Sequence, residues 1–402
     1  FAHNTQGKPG VGRGVAVGRH HSRVSGAPEV FGELPITLLA EEIETPGAGQ
    51  VRALVTIASN PVLSMPGGPR LARALDALDF MVSVDIYRNE TTRHADVILP
   101  GRSPLEDSHY DVAFPQLSDR NHARYSAPIF EPAPGHLPEW QVLLKLAAIA
   151  QGLGSAADPV ALDDEAVAEQ VRKLAGPHAD AVLKALGARQ GPERLLDLAL
   201  RSGPHGDRFG MKPDGLNLAK VQAAPGGIDL GPLQPRVPEV LRTESGRIEL
   251  APPLLVADLA QAQALMDEPA PALVVIGRRD VRSNNSWMHN LPTLAKGPQR
   301  CTAIVHPRDA ARAGVQDGQL ARLVNEHAAL TVPVTVSEEV MPGVVSLPHG
   351  WGHDQPDAQL RVAAERPGVN LNALLDDRQR DPLSGNAVLS GVAVRLEAVA
   401  SN

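Results

Sequence analysis

Apolar residues along this chain follow three different spacings, and each change of spacing marks a change of architecture. Between residue 33 and about residue 135 the pattern alternates between strand and helix. Val51–Ala58, VRALVTIA, is a continuous apolar run and predicts a short strand buried on both faces of a parallel sheet. The turn formers SNPVLSMPGGP then lead into Arg70–Leu78, where Leu71, Leu75 and Leu78 share one helical face. A second strand, Phe80–Ile86, follows, then the polar loop NETTRH, then a third strand at Val97–Leu99. Strand, loop, helix and strand over about 35 residues make a βαβ unit.

The middle of the chain reads differently. Pro138–Ala150 predicts a strong helix, with proline as its starter and Gly152 beyond its end. Three weaker amphipathic stretches follow, Ala161–Leu174, Ala179–Leu186 and Pro192–Leu200. PHGDRFGMKPDGLNL and GIDLGPLQPRVPEVL read as loops, and Leu241–Pro253 as a hairpin turning at Ser245–Gly246.

From about residue 270 strands dominate. Six candidates are Ala272–Gly277, Thr302–Pro307, Gly318–Glu326, Ala329–Ser337, Gly343–Pro348 and Gly391–Glu397. Alternation is clearest in LTVPVTV, where Leu330, Val332, Val334 and Val336 form one face and Pro333 lies on an edge-like face. PRDAARAGVQDG predicts a short helix closed by Gly314. Six short strands and one small helix suit a closed β-barrel. The domain reading is therefore a connecting segment over 1–32, a partial α/β domain over 33–137, a helical and loop connecting region over 138–268, and a C-terminal barrel over 269–402.

Composition narrows the function. A chain of 402 residues with 43% hydrophobic and 21% charged residues holds more than one core and is not a disordered polymer. A net charge of −8 argues against a nucleic-acid surface, and the basic cluster Arg13–Arg23 is too short to reverse that. One cysteine, Cys301, excludes a disulfide framework and a cysteine-held metal, and reads as a core thiol. No membrane span or signal peptide is seen, which suits a cytoplasmic setting. The chain opens FAHNTQGKPG, without Met or an obvious first element, and reads as a piece of something longer.

Polar side chains gather at strand ends. Asn60, in ASNPV, follows the first strand at the place where open α/β sheets bind ligands, and Pro61 stiffens the turn; the plainer reading is a capping Asn-Pro turn. Asp85 ends the next strand, with Thr91 and Thr92 in the loop beyond, a set suited to ribose hydroxyls or a guanine edge. In the plainer reading the threonines cap a turn and Asp96 satisfies backbone amides. Neither a GxGxxG nor a Walker loop occurs, so an ordinary NAD or ATP site is unsupported. The densest group is Gly277–Asn290, GRRDVRSNNSWMHN, with Arg278, Arg279, Arg282, Ser283, Asn284, Asn285, Trp287 and His289. Such donors suit phosphates and a heteroaromatic ring. In PHGWGH, His349 and His353 are separated by glycines that disfavour a helical metal pair and favour close approach of backbone to ligand. GVNLNALLDD adds the amides of Asn370 and Asn372.

With these clusters in order, the chain resembles the C-terminal part of a molybdopterin oxidoreductase, the group that includes formate dehydrogenases and nitrate reductases. The resemblance rests on VTIASNPVLSMP, VSVDIYRNETTRHADVILP, SPLEDSHY, PEWQVL, IGRRDVRSNNSWMHN and GVNLNALLDDRQRDPLSG, and covers nearly the whole chain. It implies an α/β plus β architecture: part of a doubly wound parallel sheet, a helical connecting region and a C-terminal double-psi β-barrel. It also implies a bis-molybdopterin guanine dinucleotide cofactor carrying molybdenum or tungsten. Asn60, Pro61, Asp85, Thr91, Thr92 and Glu139 would face one dinucleotide. The segment Arg278–His289, with His349, Gly350, Trp351, Asn370 and Asn372, would embrace pterin and pyrophosphate.

The departures from the family pattern matter equally. No Cys-rich iron–sulfur segment and no Cys, selenocysteine or Ser metal ligand upstream of the first motif is recognisable, so no residue here is assigned to catalysis or to the metal. The expectation is a cofactor-clasping half that is inactive alone. A missing N-terminal half or a partner subunit would supply the metal ligand and any iron–sulfur cluster, and the parent enzyme would convert a small substrate such as formate. The alternative is a non-catalytic structural subunit or adaptor that keeps the fold without the metal.

Overall fold

The computed structural model describes residues 17–114 and 117–399. Of the connecting segment expected over 1–32, residues 1–16 lie outside the described part. The remainder is not irregular throughout: Val17–His21 (β1) pairs antiparallel with Pro28–Val30 (β2). Its lock is Glu29, a buried carboxylate that accepts bonds from the amide and the guanidinium of Arg19. The chain divides into two compact units, one holding Val15–Pro100 and Ala251–Asn402, the other Gly101–Leu250.

In the first unit, α1 (Leu39–Glu44) precedes β3 (Ala53–Ile57), α2 (Pro61–Ser64), α3 (Gly68–Leu75), β4 (Phe80–Val84) and β5 (Val97–Leu99). The three strands form one parallel sheet in the order β3-β4-β5. Leu71, Ala74 and Leu75 of α3 pack with Ile43 and Met81 against one sheet face, as the helical spacing of leucines requires. The opposite face departs from the sequence reading. Val55 and Ile57 are about half exposed, so β3 is buried on one face only. The reason is structural: α1 and α3 share a single core, on the side of Leu54 and Met81.

The second unit contains β6 (His109–Tyr110) paired with β8 (Tyr125–Ser126), and β7 (Arg120–Ala123) paired with β9 (Ile228–Pro232). The stretch GIDLGP, read as a loop, is thus a strand, and Ile228 and Leu230 pack beside Ala123 and Tyr125. Its helices are α4 (Glu139–Ala150), α5 (Pro159–Ala175), α6 (Ala179–Leu186), α7 (Gly191–Ser202) and α8 (Leu218–Gln222). Val167, Val171, Val182, Leu186 and Leu198 form the core of α5 to α7. The hairpin expected over 241–253 is absent as paired strands; only the turn survives, with Gly246 at φ +62 and its amide bonded to the Thr243 carbonyl. Its arms, including Ile248 and Leu250, are exposed, and an isolated two-stranded hairpin is marginal in water.

The rest of the first unit starts with α9 (Pro253–Asp267), which buries no residue. Then come β10 (Val274–Arg278), the short α10 (Pro292–Ala295), β11 (Ala303–Val305), α11 (Pro307–Ala313), β12 (Leu320–Val324), β13 (Ala329–Val336), β14 (Val344–Pro348), β15 (Val392–Ala393) and β16 (Arg395–Ala398). All seven strands belong to one curled sheet, ordered β15-β10-β14-β11-β13-β12-β16. The two outermost strands are separated by Val394 alone, so one short chain run supplies both edges of the curled sheet. Val275, Val305, Leu323, Val334, Val345 and Leu347 fill the interior with almost no exposure. Pro333 is tolerated because β11 aligns only with Val334 to Val336, leaving no ladder partner where the proline lacks its N–H. Gly314 closes α11 in the left-handed conformation.

Candidate functional site

The site begins where β3 and β4 end. Asn60 precedes α2 with Pro61 at the first helical position, yet its side chain makes no capping bond. Its Nδ2 instead donates to Glu90 Oε2 at 2.7 Å, and its Oδ1 accepts the Thr91 hydroxyl at 2.7 Å. Thr91 Oγ1 in turn accepts the Val62 amide. Thr92 and Asn89 fold the loop itself: Asn89 Oδ1 receives the amides of Thr91 and Thr92, and the Thr92 hydroxyl donates to the Tyr87 carbonyl. Asp96 accepts the Met81 amide, as the plainer reading expected. Asp85 follows β4; one oxygen takes the Tyr87 amide and the other the Asn89 side chain. Burial pushes the Asp85 carboxyl up, against the pull of those donors.

From Glu90 the network crosses into the barrel loops. His353 Nδ1 meets Glu90 Oε1 at 2.8 Å, His289 Nδ1 meets His353 Nε2 at 2.9 Å, and Ser283 Oγ meets His289 Nε2 at 2.6 Å. All four side chains are buried. Burial tends to raise Glu90, but the bonds from His353 and Asn60 more than reverse this and leave it below the ordinary carboxylate range. Burial holds His289 down to about 4, helped by neighbouring His353, so its ring is neutral at pH 7. Trp351 stacks on His289 with ring centroids 3.9 Å apart.

Glycines let these loops meet backbone to backbone. Gly350 has φ +91, and any Cβ there would overlap the Asn285 carbonyl. A Cβ on Gly352 would stand 2.7 Å from that of Asn370. Asn284 and Asn285 both occupy positive φ, at 37° and 62°, a conformation asparagine accepts more readily than bulkier residues. Their side chains, with Arg279, Arg282 and Trp287, form the exposed rim of this loop, and Arg279 donates to Asn285 Oδ1. Asn370 accepts the Asn372 amide, and Asn372 Nδ2 reaches the Leu63 carbonyl of α2, a second tie between barrel and α/β sheet. His349 is half-buried, lowered by burial and by Arg279. A cavity of about 230 Å³ is lined by Val62 and Glu90 on one side and Gly352, Gly368 and Asn370 on the other.

Two of the sequence-predicted positions have other partners. Arg278 directs its guanidinium at the carbonyls of Ser346, Arg300 and Thr302, so it braces the barrel mouth rather than the rim. Glu139 opens α4 in the other unit, where its carboxylate lies over Gly101. Glu90 was not foreseen as a site residue, its signal being an acid beside two threonines, and His353 was considered only as half of a disfavoured metal pair in PHGWGH.

Residues 273–393 match the Molydopterin dinucleotide binding domain. The F420-dependent formate dehydrogenase subunit alpha of Methanocaldococcus jannaschii is 21% identical over 78% of this chain and 41% of its own length. The assimilatory nitrate reductase catalytic subunit of Bacillus subtilis is 33% identical over 27% of this chain and 14% of its own. Residues 273–393 thus carry a molybdopterin dinucleotide binding domain, and over most of its length the chain is similar to molybdopterin oxidoreductases. The chain spans 29% to 45% of the length of the relatives it matches over three quarters or more of its own. Among solved structures, acetylene hydratase from Pelobacter acetylenicus shares the fold, with a TM-score of 0.61, 17% identity, and coverage of 90% of this chain and 46% of that one.

The donor set fits a large polar cofactor. The Trp351 indole N–H is buried without a partner, and Asn60 keeps one N–H and one carbonyl lone pair free on a partly exposed side chain. Among the described residues no three His, Cys, Asp or Glu side chains gather to hold a metal ion, and no helix is long and apolar enough to cross a membrane.

Proposed function

We propose that this chain clasps molybdopterin guanine dinucleotide in a molybdenum or tungsten oxidoreductase, with Asn60 and Asp85 toward the guanosine and the Ser283–His289 rim toward pterin and pyrophosphate. The observation that carries this is the buried chain from Asn60 through Glu90, His353 and His289 to Ser283, which holds two separate polar loops in one unit. When bound, the metal carried by the pterins supplies the two-electron chemistry. The residues here bind and orient: Asn60 offers an amide edge, Asn284, Asn285 and Arg282 offer donors on a rigid rim, and Trp351 offers a buried N–H.

We read the curled sheet as a double-psi barrel, its parallel pairs β10/β14 and β11/β13 being the crossovers such a fold needs. Two-electron conversion of a small substrate, formate first, is the parent reaction, since several broad matches are formate dehydrogenase alpha subunits. The remaining half of the active site, including the metal ligand and any iron–sulfur cluster, comes from further polypeptide or a partner. A structural role without metal is favoured by one feature, the commitment of Arg278 to backbone carbonyls.

The test is acid extraction of the protein purified from its native host. GMP and oxidised pterin should be released in near-stoichiometric amounts with molybdenum or tungsten, and Asp85→Ala should lower the yield. Protein free of pterin, GMP and metal would support the structural role instead.

A further inference from the structure

Glu90 has no exposed surface and no arginine or lysine partner among its hydrogen bonds, an unusual setting for an acid. Each of its oxygens accepts from a different part of the fold, Oε2 from Asn60 Nδ2 and Oε1 from His353 Nδ1. Because both bonds end on a carboxylate, neither donor can be exchanged for an acceptor. The Asn60 amide is thereby fixed, since its nitrogen must face Glu90 and its oxygen must face the Thr91 hydroxyl. The Thr91 oxygen is itself held by the Val62 amide.

The same logic runs the other way. His353 must carry a proton on Nδ1. Where its Nε2 is the acceptor of the 2.9 Å contact, His289 carries its proton on Nδ1 and its Nε2 accepts from the Ser283 hydroxyl. In that arrangement one carboxylate orders the polar groups from Asn60 to Ser283.

We propose that Glu90 is a positioning residue that sets the amide orientation of Asn60 and, through His353 and His289, the proton arrangement of the Ser283 loop, so that the two loops recognise their ligand as one device. The proposal rests on the cofactor reading above and adds how recognition is enforced. Asn60 presents one N–H and one C=O in a single sense, which selects a ligand edge carrying an acceptor beside a donor. Guanine offers that pattern in its O6 and N1–H.

Two measurements on the full 402-residue chain test this. The first needs no variant and no cofactor. With ¹⁵N-labelled histidine at pH 8, His289 and His353 should both show protonated Nδ1 and unprotonated Nε2. An Nε2-protonated form of either ring would overturn the proposal.

The second compares GMP released by acid from the holoprotein. Glu90→Gln preserves shape but places a donor against either Asn60 or His353. It should lower GMP content about tenfold, the loss expected when one charge-assisted bond is removed. Asn60→Ala should do the same, and the double variant should lose no more than either single one, because both act through one amide. Full GMP content in folded Glu90→Gln would overturn the positioning role while leaving the cofactor reading intact. Absence of GMP from the wild-type protein would instead overturn the cofactor reading, and the nitrogen shifts alone would then decide the relay.

Discussion

Buried titratable groups give the most direct residue-scale predictions. His289 is held to about 4, below the ordinary imidazole value near 6.5, so the unfolded chain binds a proton more readily between those limits. Stability should therefore fall as pH drops from about 6.5 toward 4, by on the order of 2 kcal/mol from this ring. The depressed Glu90 acts in the same direction, since its contribution is present above the unfolded carboxylate value and lost as pH falls through its folded one. Denaturant midpoints across pH 4 to 7 should show this slope, and His289→Gln should flatten it. Cys301 is fully buried, with its thiol pushed up to about 11 by burial. A thiol reagent should leave it unlabelled in the native protein and label it on unfolding; rapid native labelling would refute the core assignment.

What was legible at this scale was polarity, not partnership. The clusters at Asn60, Asp85 and Ser283–His289 stood out because many hydrogen-bonding side chains lay together at strand ends. Glu90 and His353 did not, because their meaning lies in a bond between residues 263 positions apart. The partners of Arg278 were hidden for the same reason, since the three backbone carbonyls its guanidinium meets leave no local pattern.

Most elements with long-range burial were readable, β9 being the exception, and the exposed α9 was not. The strands from residue 274 onward follow period-two alternation because the barrel interior demands apolar residues at every other position. Leu323→Ala should lower the stability of its unit by about 3 kcal/mol, measured by denaturant titration or hydrogen exchange of β12. In contrast Leu259, on the fully exposed α9, should tolerate alanine within about 0.5 kcal/mol. That helix, PLLVADLAQAQALMD, was not singled out, although its Ala- and Leu-rich run after proline carried a helix signal. The hairpin at 241–253 failed because alternation without a core to bury it does not hold two strands together.

At the scale of the whole molecule, one compact unit carries both the α/β sheet and the barrel, joined among the described residues by three buried or half-buried side-chain ties. These are Glu90 to His353, Asn372 to Leu63, and the ion pair of Arg70 with Asp377 at 2.9 Å. Sequence order hid this arrangement, since a 150-residue unit is inserted between its halves. The most direct test is a density map of the holoprotein from its native host. The account predicts a guanylated pterin whose guanine edge lies within hydrogen-bond distance of Asn60 and whose pterin or pyrophosphate meets the Ser283–His289 rim. A cofactor bound elsewhere, with Asn60 and that rim both facing solvent, would contradict it.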